Sequence, residues 1–96
     1  MHDGRVHAAL LPLALLAAAA SWVSAAPLPE PRTEVAAAAL RGEIVVVGGL
    51  LASGVPSRRV DAYAPAADRW RRLPDLPVGV DHAAAASARG ALYVVG

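Results

Sequence analysis

Hydrophobic residues in this 96-residue chain form one long run near the N-terminus and then several short runs separated by glycine, proline and charged residues. Short apolar runs bounded by such turn residues predict strands rather than helices. The predicted strands are residues 35–40, 43–47, 58–64 and 69–73. The sequence therefore predicts an all-β fold in which these four segments form one antiparallel sheet.

The third segment carries a clear strand signal, whereas the first is ambiguous. Arg59, Asp61 and Tyr63 alternate with smaller apolar residues, which gives the period of two expected of a strand with unlike faces. Residues 36–39 and 83–86 are all alanine, which by intrinsic propensity prefers a helix. Each run is shorter than the ~12 residues at which an isolated helix becomes stable, and each leads into a glycine turn. We therefore expect both alanine runs to form strands.

The chain repeats itself at an offset of 48 residues. Residues 42–48, GEIVVVG, align with residues 90–96, GALYVVG, and the two alanine runs align as well. A period of this length is typical of one blade of a β-propeller and is too long for ankyrin or tetratricopeptide repeats. We therefore predict a first blade over residues 32–77 and the first strands of a second, truncated blade over residues 78–96.

The apolar run over residues 8–26 has the form of a secretory signal peptide. Its apolar core is short for a membrane span, which needs about 20 residues, and small residues follow it. We expect a helical signal peptide over residues 1–25, a proline-rich linker over residues 26–31, and a secreted or periplasmic mature protein without stable membrane insertion. Cleavage after Ala25 is preferred, because cleavage after Ala26 would place Pro27 beside the scissile bond. Since Asp3 offsets Arg5 ahead of the run, an uncleaved anchor is the alternative.

Composition excludes several kinds of chemistry. The chain has neither cysteine nor lysine, which excludes disulfide frameworks, thiol nucleophiles and Schiff-base lysines. Nine basic residues face eight acidic ones, so no nucleic-acid partner is predicted. Residues 49–54 are not followed by the Lys-Ser/Thr of a phosphate loop. Asp81 and His82, as adjacent residues on a strand, point to opposite faces and cannot both face one substrate. We therefore predict no catalytic, metal or cofactor site in this segment.

Seven residues at characteristic spacings give the chain a resemblance to the kelch repeat. They are Arg32, Gly48, Gly49, Tyr63, Trp70, His82 and Tyr93. The kelch pattern has an arginine before an apolar strand, a Gly-Gly pair after the next strand, and then a spaced tyrosine and tryptophan. The chain departs from this pattern at Val45, where the repeat usually has the aromatic residue that Tyr93 retains, and at Glu34, which stands where His82 stands in the second unit.

The resemblance implies a kelch-type β-propeller fragment in which Tyr63 and Trp70 pack between blades. Kelch propellers most often bind proteins or glycans through loops at one end of the channel, so an exported binding or scaffold module is the first expectation. The alternatives are part of a secreted carbohydrate-active enzyme, similar to galactose oxidase or sialic-acid mutarotases, and an inactive truncated product. Because a blade needs neighbours on both faces, we expect residues 26–96 alone to be marginally stable or unfolded.

Overall fold

The structure, a computed structural model, describes residues 21–96. These residues contain six strands and no helix, and so none that could cross a membrane. The strands are β1 Ala36–Leu40, β2 Glu43–Val47, β3 Val60–Ala64, β4 Arg69–Leu73, β5 Ala84–Ala88 and β6 Ala91–Val95. Most of the predicted signal peptide lies outside the described residues, and residues 21–25 have no regular secondary structure.

The six strands form two antiparallel sheets that follow the sequence repeat. β1 to β4 form a four-stranded sheet in chain order, and β5 pairs with β6 in a second sheet. β5 and β6 lie 48 residues after β1 and β2, so the second sheet begins a second copy of the first. Apart from Ala83, both alanine runs lie in strands, which confirms the all-β prediction and the four-stranded antiparallel sheet.

Two strands begin later than the sequence predicts. β1 begins at Ala36 instead of residue 35, and β3 at Val60 instead of residue 58. Ser57 accounts for the second difference: its hydroxyl accepts a hydrogen bond from the Arg59 amide at 3.0 Å, and its own amide donates to the Gly49 carbonyl at 2.7 Å. The backbone just ahead of β3 is therefore held by the loop instead of by the neighbouring strand.

The hydrophobic core lies between the two sheets. The buried residues of the first sheet that face the second are Ala36, Val45, Val47, Val60 and Ala62. The second sheet packs on them through residues that include Ala85, Leu92 and Val94. Complete burial of a valine side chain contributes about 1.5–3 kcal/mol. The packing of one repeat on the next is therefore a main source of stability.

The corresponding face of the second sheet is exposed. Tyr93 and Val95 are the repeat equivalents of Val45 and Val47. Their exposed fractions are 58% and 72%, compared with 2% and 1% for the two valines. The comparison shows how much apolar surface a unit buries when a neighbour covers this face.

Candidate functional site

The two ends of the four-stranded sheet differ in the length of their connections. At one end, residues 41–42 join β1 to β2 and residues 65–68 join β3 to β4. At the other end, the twelve residues 48–59 join β2 to β3, and the ten residues 74–83 lead from β4 to β5. Alternate connections of an antiparallel sheet lie at the same end. The two long loops therefore lie together with the residues that enter β1, and we call this the loop end; it is the candidate functional site.

A glycine pair brings the two repeats close together at the loop end. Gly48 and Gly49 follow β2 with φ of 62° and 106°. A Cβ on Gly48 would lie 2.6 Å from the Val80 carbonyl oxygen, and one on Gly49 would lie 2.5 Å from the Thr33 carbonyl oxygen. The Gly49 amide donates a hydrogen bond to that Val80 carbonyl at 2.8 Å. The pair therefore permits a backbone approach that any side chain would prevent.

Asp61 is the centre of a buried ion cluster at the loop end. Its side chain has no exposed surface and accepts a hydrogen bond from Arg32 Nη1 at 3.0 Å. Arg59 donates to both carboxylate oxygens, with Nε 2.9 Å from Oδ2 and Nη2 3.1 Å from Oδ1. Arg59 also lies 3.7 Å from Glu30. One carboxylate thus links β3 to the segment that precedes β1.

The contacts of Asp61 decide its charge state. Burial by itself would raise the pKa of the Asp61 carboxyl, but the hydrogen bonds from Arg59 and Arg32, together with their positive charges, more than offset this effect. The pKa of Asp61 therefore lies below its ordinary value. Paired in this way, a buried carboxylate can remain ionised inside the fold.

An open groove lies beside this cluster, between the proline-rich segment and the β2–β3 loop. Its volume is about 640 Å³, and its lining includes Pro27, Leu28, Leu51 and Arg32. The Nε and Nη2 atoms of Arg32 are buried and have no hydrogen-bond partner among the described residues. The Arg32 side chain has no exposed surface, so the groove itself offers mainly apolar contact, as ligand-binding clefts commonly do.

Tyr63 and Trp70 lie near the opposite end of the sheet and pack against each other across β3 and β4. Their ring centroids are 5.0 Å apart with the planes at 45°. The Tyr63 hydroxyl donates to Asp68 Oδ1 at 2.6 Å, and Trp70 Nε1 donates to the Ala26 carbonyl at 2.8 Å. The hydrogen bonds that Asp68 accepts from the Tyr63 hydroxyl and the Ala26 amide lower the pKa of its carboxyl. Both aromatic residues therefore make contacts within the fold, and neither lines the groove.

His82 and Asp81 precede β5 and do not lie on a strand, so the prediction that their side chains point to opposite faces of a strand is wrong. The φ of His82 is 52°, and its Nδ1 lies 2.6 Å from Asp81 Oδ1. Its Nε2 lies 3.0 Å from Oε2 of Glu34, the equivalent residue of the first unit, whose φ is 53°. The hydrogen bond to Asp81 and the charge of Glu34 raise the pKa of His82. These contacts link one repeat to the next.

The seven motif residues do not meet at one point. Arg32, Gly48, Gly49 and His82 lie at the loop end, Tyr63 and Trp70 lie toward the short turns, and Tyr93 is on the exposed face of β6. Within residues 21–96, no group of three or more His, Cys, Asp or Glu side chains is arranged to hold a metal ion.

Two contacts of this region are not evident in the sequence pattern. The alternation of β3 marks Asp61 only as a polar position. Its place between Val60 and Ala62 is nevertheless a usable signal, because a charge at the centre of a well-covered strand needs a buried partner. The contact of Ala26 with Asp68 has no comparable signal, since it joins residues 42 positions apart.

Comparison with known proteins identifies the repeat. Residues 31–77 match the model of the Kelch motif family. An F-box/kelch-repeat protein of Arabidopsis thaliana is 35% identical over 77 residues, which cover 77% of this chain and 20% of that protein. Kelch-like protein 35 of Mus musculus is 33% identical over 76 residues, covering 79% of this chain and 13% of that protein. The chain thus spans 20% or less of the length of these relatives.

The fold has a counterpart among solved structures. The structure of YjhT, a kelch propeller, matches 77% of this chain with a TM-score of 0.67 and 26% sequence identity. The match covers 23% of the YjhT chain. Together these comparisons show that residues 31–77 match the Kelch motif and have the fold of one blade of a kelch-type β-propeller.

Proposed function

We propose that the chain supplies an exported kelch propeller with its first blade and part of its second, and that this propeller binds a protein partner at the loop end. Kelch repeats generally mediate protein interactions. The observation that carries the proposal is the difference between the two ends of the blade: connections of twelve and ten residues at one end and tight turns at the other. Long loops on a rigid sheet are where binding residues concentrate.

The β2–β3 loop presents its apolar tip on an ordered backbone. The Leu51 amide donates to the Val55 carbonyl at 3.1 Å, and the Gly54 amide donates to the Leu51 carbonyl at 2.8 Å. The Val55 side chain is 54% exposed on this turn, and Val78 in the following loop is 65% exposed. Exposed apolar groups on a fixed backbone, with charged residues such as Arg58 nearby, favour a protein partner.

Site-specific photocrosslinking tests the binding surface. A benzophenone side chain is placed at Val55 in the β2–β3 loop or, as the matched control, at Ala66 in an exposed short turn. We expect a defined protein adduct from position 55 and none from position 66. In a separate binding measurement with the captured protein, we expect Val55→Asp to abolish binding. Equal adducts from both positions would contradict the proposal, and binding of a free glycan alone would favour the carbohydrate-active alternative.

Export is supported by the apolar run over residues 8–20 and the small residues after it. In this proposal a signal peptide covers residues 1–25, a linker covers 26–31, the first blade covers 32–77 and the second begins at residue 78. Fusion of residues 1–31 to a reporter that is active only outside the cytoplasm tests export. We expect activity that Leu15→Arg abolishes, because a charge interrupts the apolar core; activity that survives this change would contradict a signal peptide.

A further inference from the structure

Ala26 is fixed against the first blade at both of its backbone polar groups. Its nitrogen lies 2.7 Å from Asp68 Oδ1, and its carbonyl oxygen accepts the hydrogen bond from Trp70 Nε1 at 2.8 Å. These contacts join residues 42 and 44 positions apart. Ala26 is also the residue that the sequence predicts as the first of the mature protein. The structure therefore provides a binding position for a new N-terminus.

We propose that the chain is cut between Ala25 and Ala26 and that Asp68 binds the α-ammonium group that the cut creates on Ala26. This inference rests on the proposed export, because a signal peptidase of the export pathway catalyses the hydrolysis. The bond between the Ala25 carbonyl carbon and the Ala26 nitrogen breaks. The hydroxyl of a water molecule goes to Ala25 and the remaining hydrogen to the Ala26 nitrogen. At neutral pH the new carboxyl group releases a proton and the new amine takes one up.

The cut strengthens a contact that already exists in the uncut chain. The Ala26 nitrogen changes from an amide with one hydrogen to an ammonium with three hydrogens and a positive charge. A hydrogen bond between two charged groups is shorter and stronger than one from a neutral amide. Asp68 also accepts the Tyr63 hydroxyl at 2.6 Å, which holds the carboxylate in place. Arg69 follows Asp68 in the chain. Because it alternates with Trp70 along β4, its side chain points to the face of the sheet opposite the one on which Trp70 contacts Ala26.

The geometry also distinguishes between the two candidate bonds. Residues 21–25 are exposed and lack regular secondary structure, so their removal breaks no strand pairing of the blade. A cut after Ala26 would remove this residue from the mature protein. Asp68 would then lose the Ala26 nitrogen, and Trp70 Nε1 would lose its acceptor. The bond between Ala25 and Ala26 is the one whose cleavage keeps both contacts.

The experiment uses the full chain, expressed in a secreting host, and the product purified from outside the cytoplasm. Its N-terminus is determined by intact mass and N-terminal sequencing. The cut after Ala25 removes Trp22 and leaves Trp70 as the one tryptophan, so fluorescence reports directly on the neighbour of Ala26. The pKa of the α-amine is then measured by tryptophan fluorescence and by NMR of the selectively methylated amine.

We expect a product that begins at Ala26. An unperturbed α-amine has a pKa of about 7.7–8.0, and we expect Asp68 to raise that of Ala26 by about 0.5–1 unit. Asp68→Asn should abolish this increase. Asp75→Asn is the matched control, because it removes the same charge from an exposed pair with Arg72 and should leave the amine pKa unchanged.

Each outcome bears on one part of the proposal. An Ala26 N-terminus with a raised amine pKa that depends on Asp68 supports it. An Ala26 N-terminus with an unshifted amine overturns the binding role of Asp68 while export stands. A secreted product with another N-terminus overturns the cleavage position, whereas failure to obtain any processed product outside the cytoplasm overturns export itself.

Discussion

Asp61 shows how a single side chain organises the loop end. Its neighbours in β3, Val60 and Ala62, point into the core, so the Asp61 side chain points to the opposite face. There it meets Arg32 and Arg59, which come from different parts of the chain. Removing one partner of a buried ion pair is far more costly than removing an exposed pair, because it leaves an unpaired charge in the fold.

Asp61→Ala is expected to lower the free energy of unfolding by about 3–5 kcal/mol. The reason is that Arg32, which has no exposed side-chain surface, loses its carboxylate partner. Asp75→Ala removes an exposed pair with Arg72 and should cost less than about 1 kcal/mol. Because residues 26–96 alone are expected to be only marginally stable, both values are measured on the proposed propeller to which the chain contributes, by urea unfolding followed by circular dichroism. Equal losses would contradict the structural role of Asp61.

Asp61 also predicts a dependence of stability on acid. Since its folded-state pKa lies below the ordinary value of 3.8, its ionised form contributes stability that is fully present above that value. This contribution is lost as the pH falls through the folded-state pKa. Unfolding midpoints measured from pH 5 downwards should therefore fall more steeply for the unmodified chain than for Asp61→Asn. Parallel curves would show that Asp61 does not titrate with folding.

His82 predicts a dependence of the opposite sign. Its two ring nitrogens face Asp81 and Glu34, and its pKa is raised above 6.5. The contribution of the charged ring to the contact between repeats is therefore fully present below about pH 6.5 and is lost as the pH rises through the folded-state pKa. An NMR titration should show this raised pKa, and Glu34→Gln should lower it. Glu30→Gln is the control. If it lowers the pKa of His82 as much as Glu34→Gln does, the contact between His82 and Glu34 is contradicted.

At the scale of the elements, the turn after β2 sets the distance between the repeats. Gly48→Ala and Gly54→Ala both place a side chain at a positive φ, 62° and 81° respectively, but only the first would meet the backbone of the second unit. Positive φ costs a residue other than glycine about 1–2 kcal/mol. We expect Gly48→Ala to cost about 1–3 kcal/mol beyond that through overpacking. Thermal unfolding of the two variants gives the difference, and similar values would exclude close approach as the role of Gly48.

Local pattern predicts some elements better than others. The bounds of β2 and β4 agree with the prediction, because each is an uninterrupted segment between clear turn residues. The start of β3 does not, because the side chain of Ser57 captures a backbone group that the strand pattern assigns to the sheet. The backbone at His82 was mispredicted for a related reason: its positive φ depends on the neighbouring repeat, since the His82 amide donates to the Glu34 carbonyl at 3.1 Å.

At the scale of the whole molecule, the repeat offset predicts the architecture and long-range contacts determine the site. Applied to the first predicted strand, the offset of 48 residues predicts that a second sheet begins at residue 83 and repeats the first; β5 begins one residue later. It does not predict that Arg32 and Asp61 meet, or that Ala26 lies against Trp70. Those contacts depend on the path of the segment that precedes β1, where proline and alanine leave no periodic pattern.

The second unit covers the core of the first, and amide hydrogen exchange across β2 tests this claim most directly. The comparison is between the monomeric segments 26–96 and 26–77, which differ by the residues that place Leu92 and Val94 over Val45 and Val47. We predict weak, measurable protection of the β2 amides in the longer segment, because its outer faces are uncovered, and none in the shorter one. Slow exchange of these amides in the shorter segment would contradict the account, because the first blade would then fold without its neighbour.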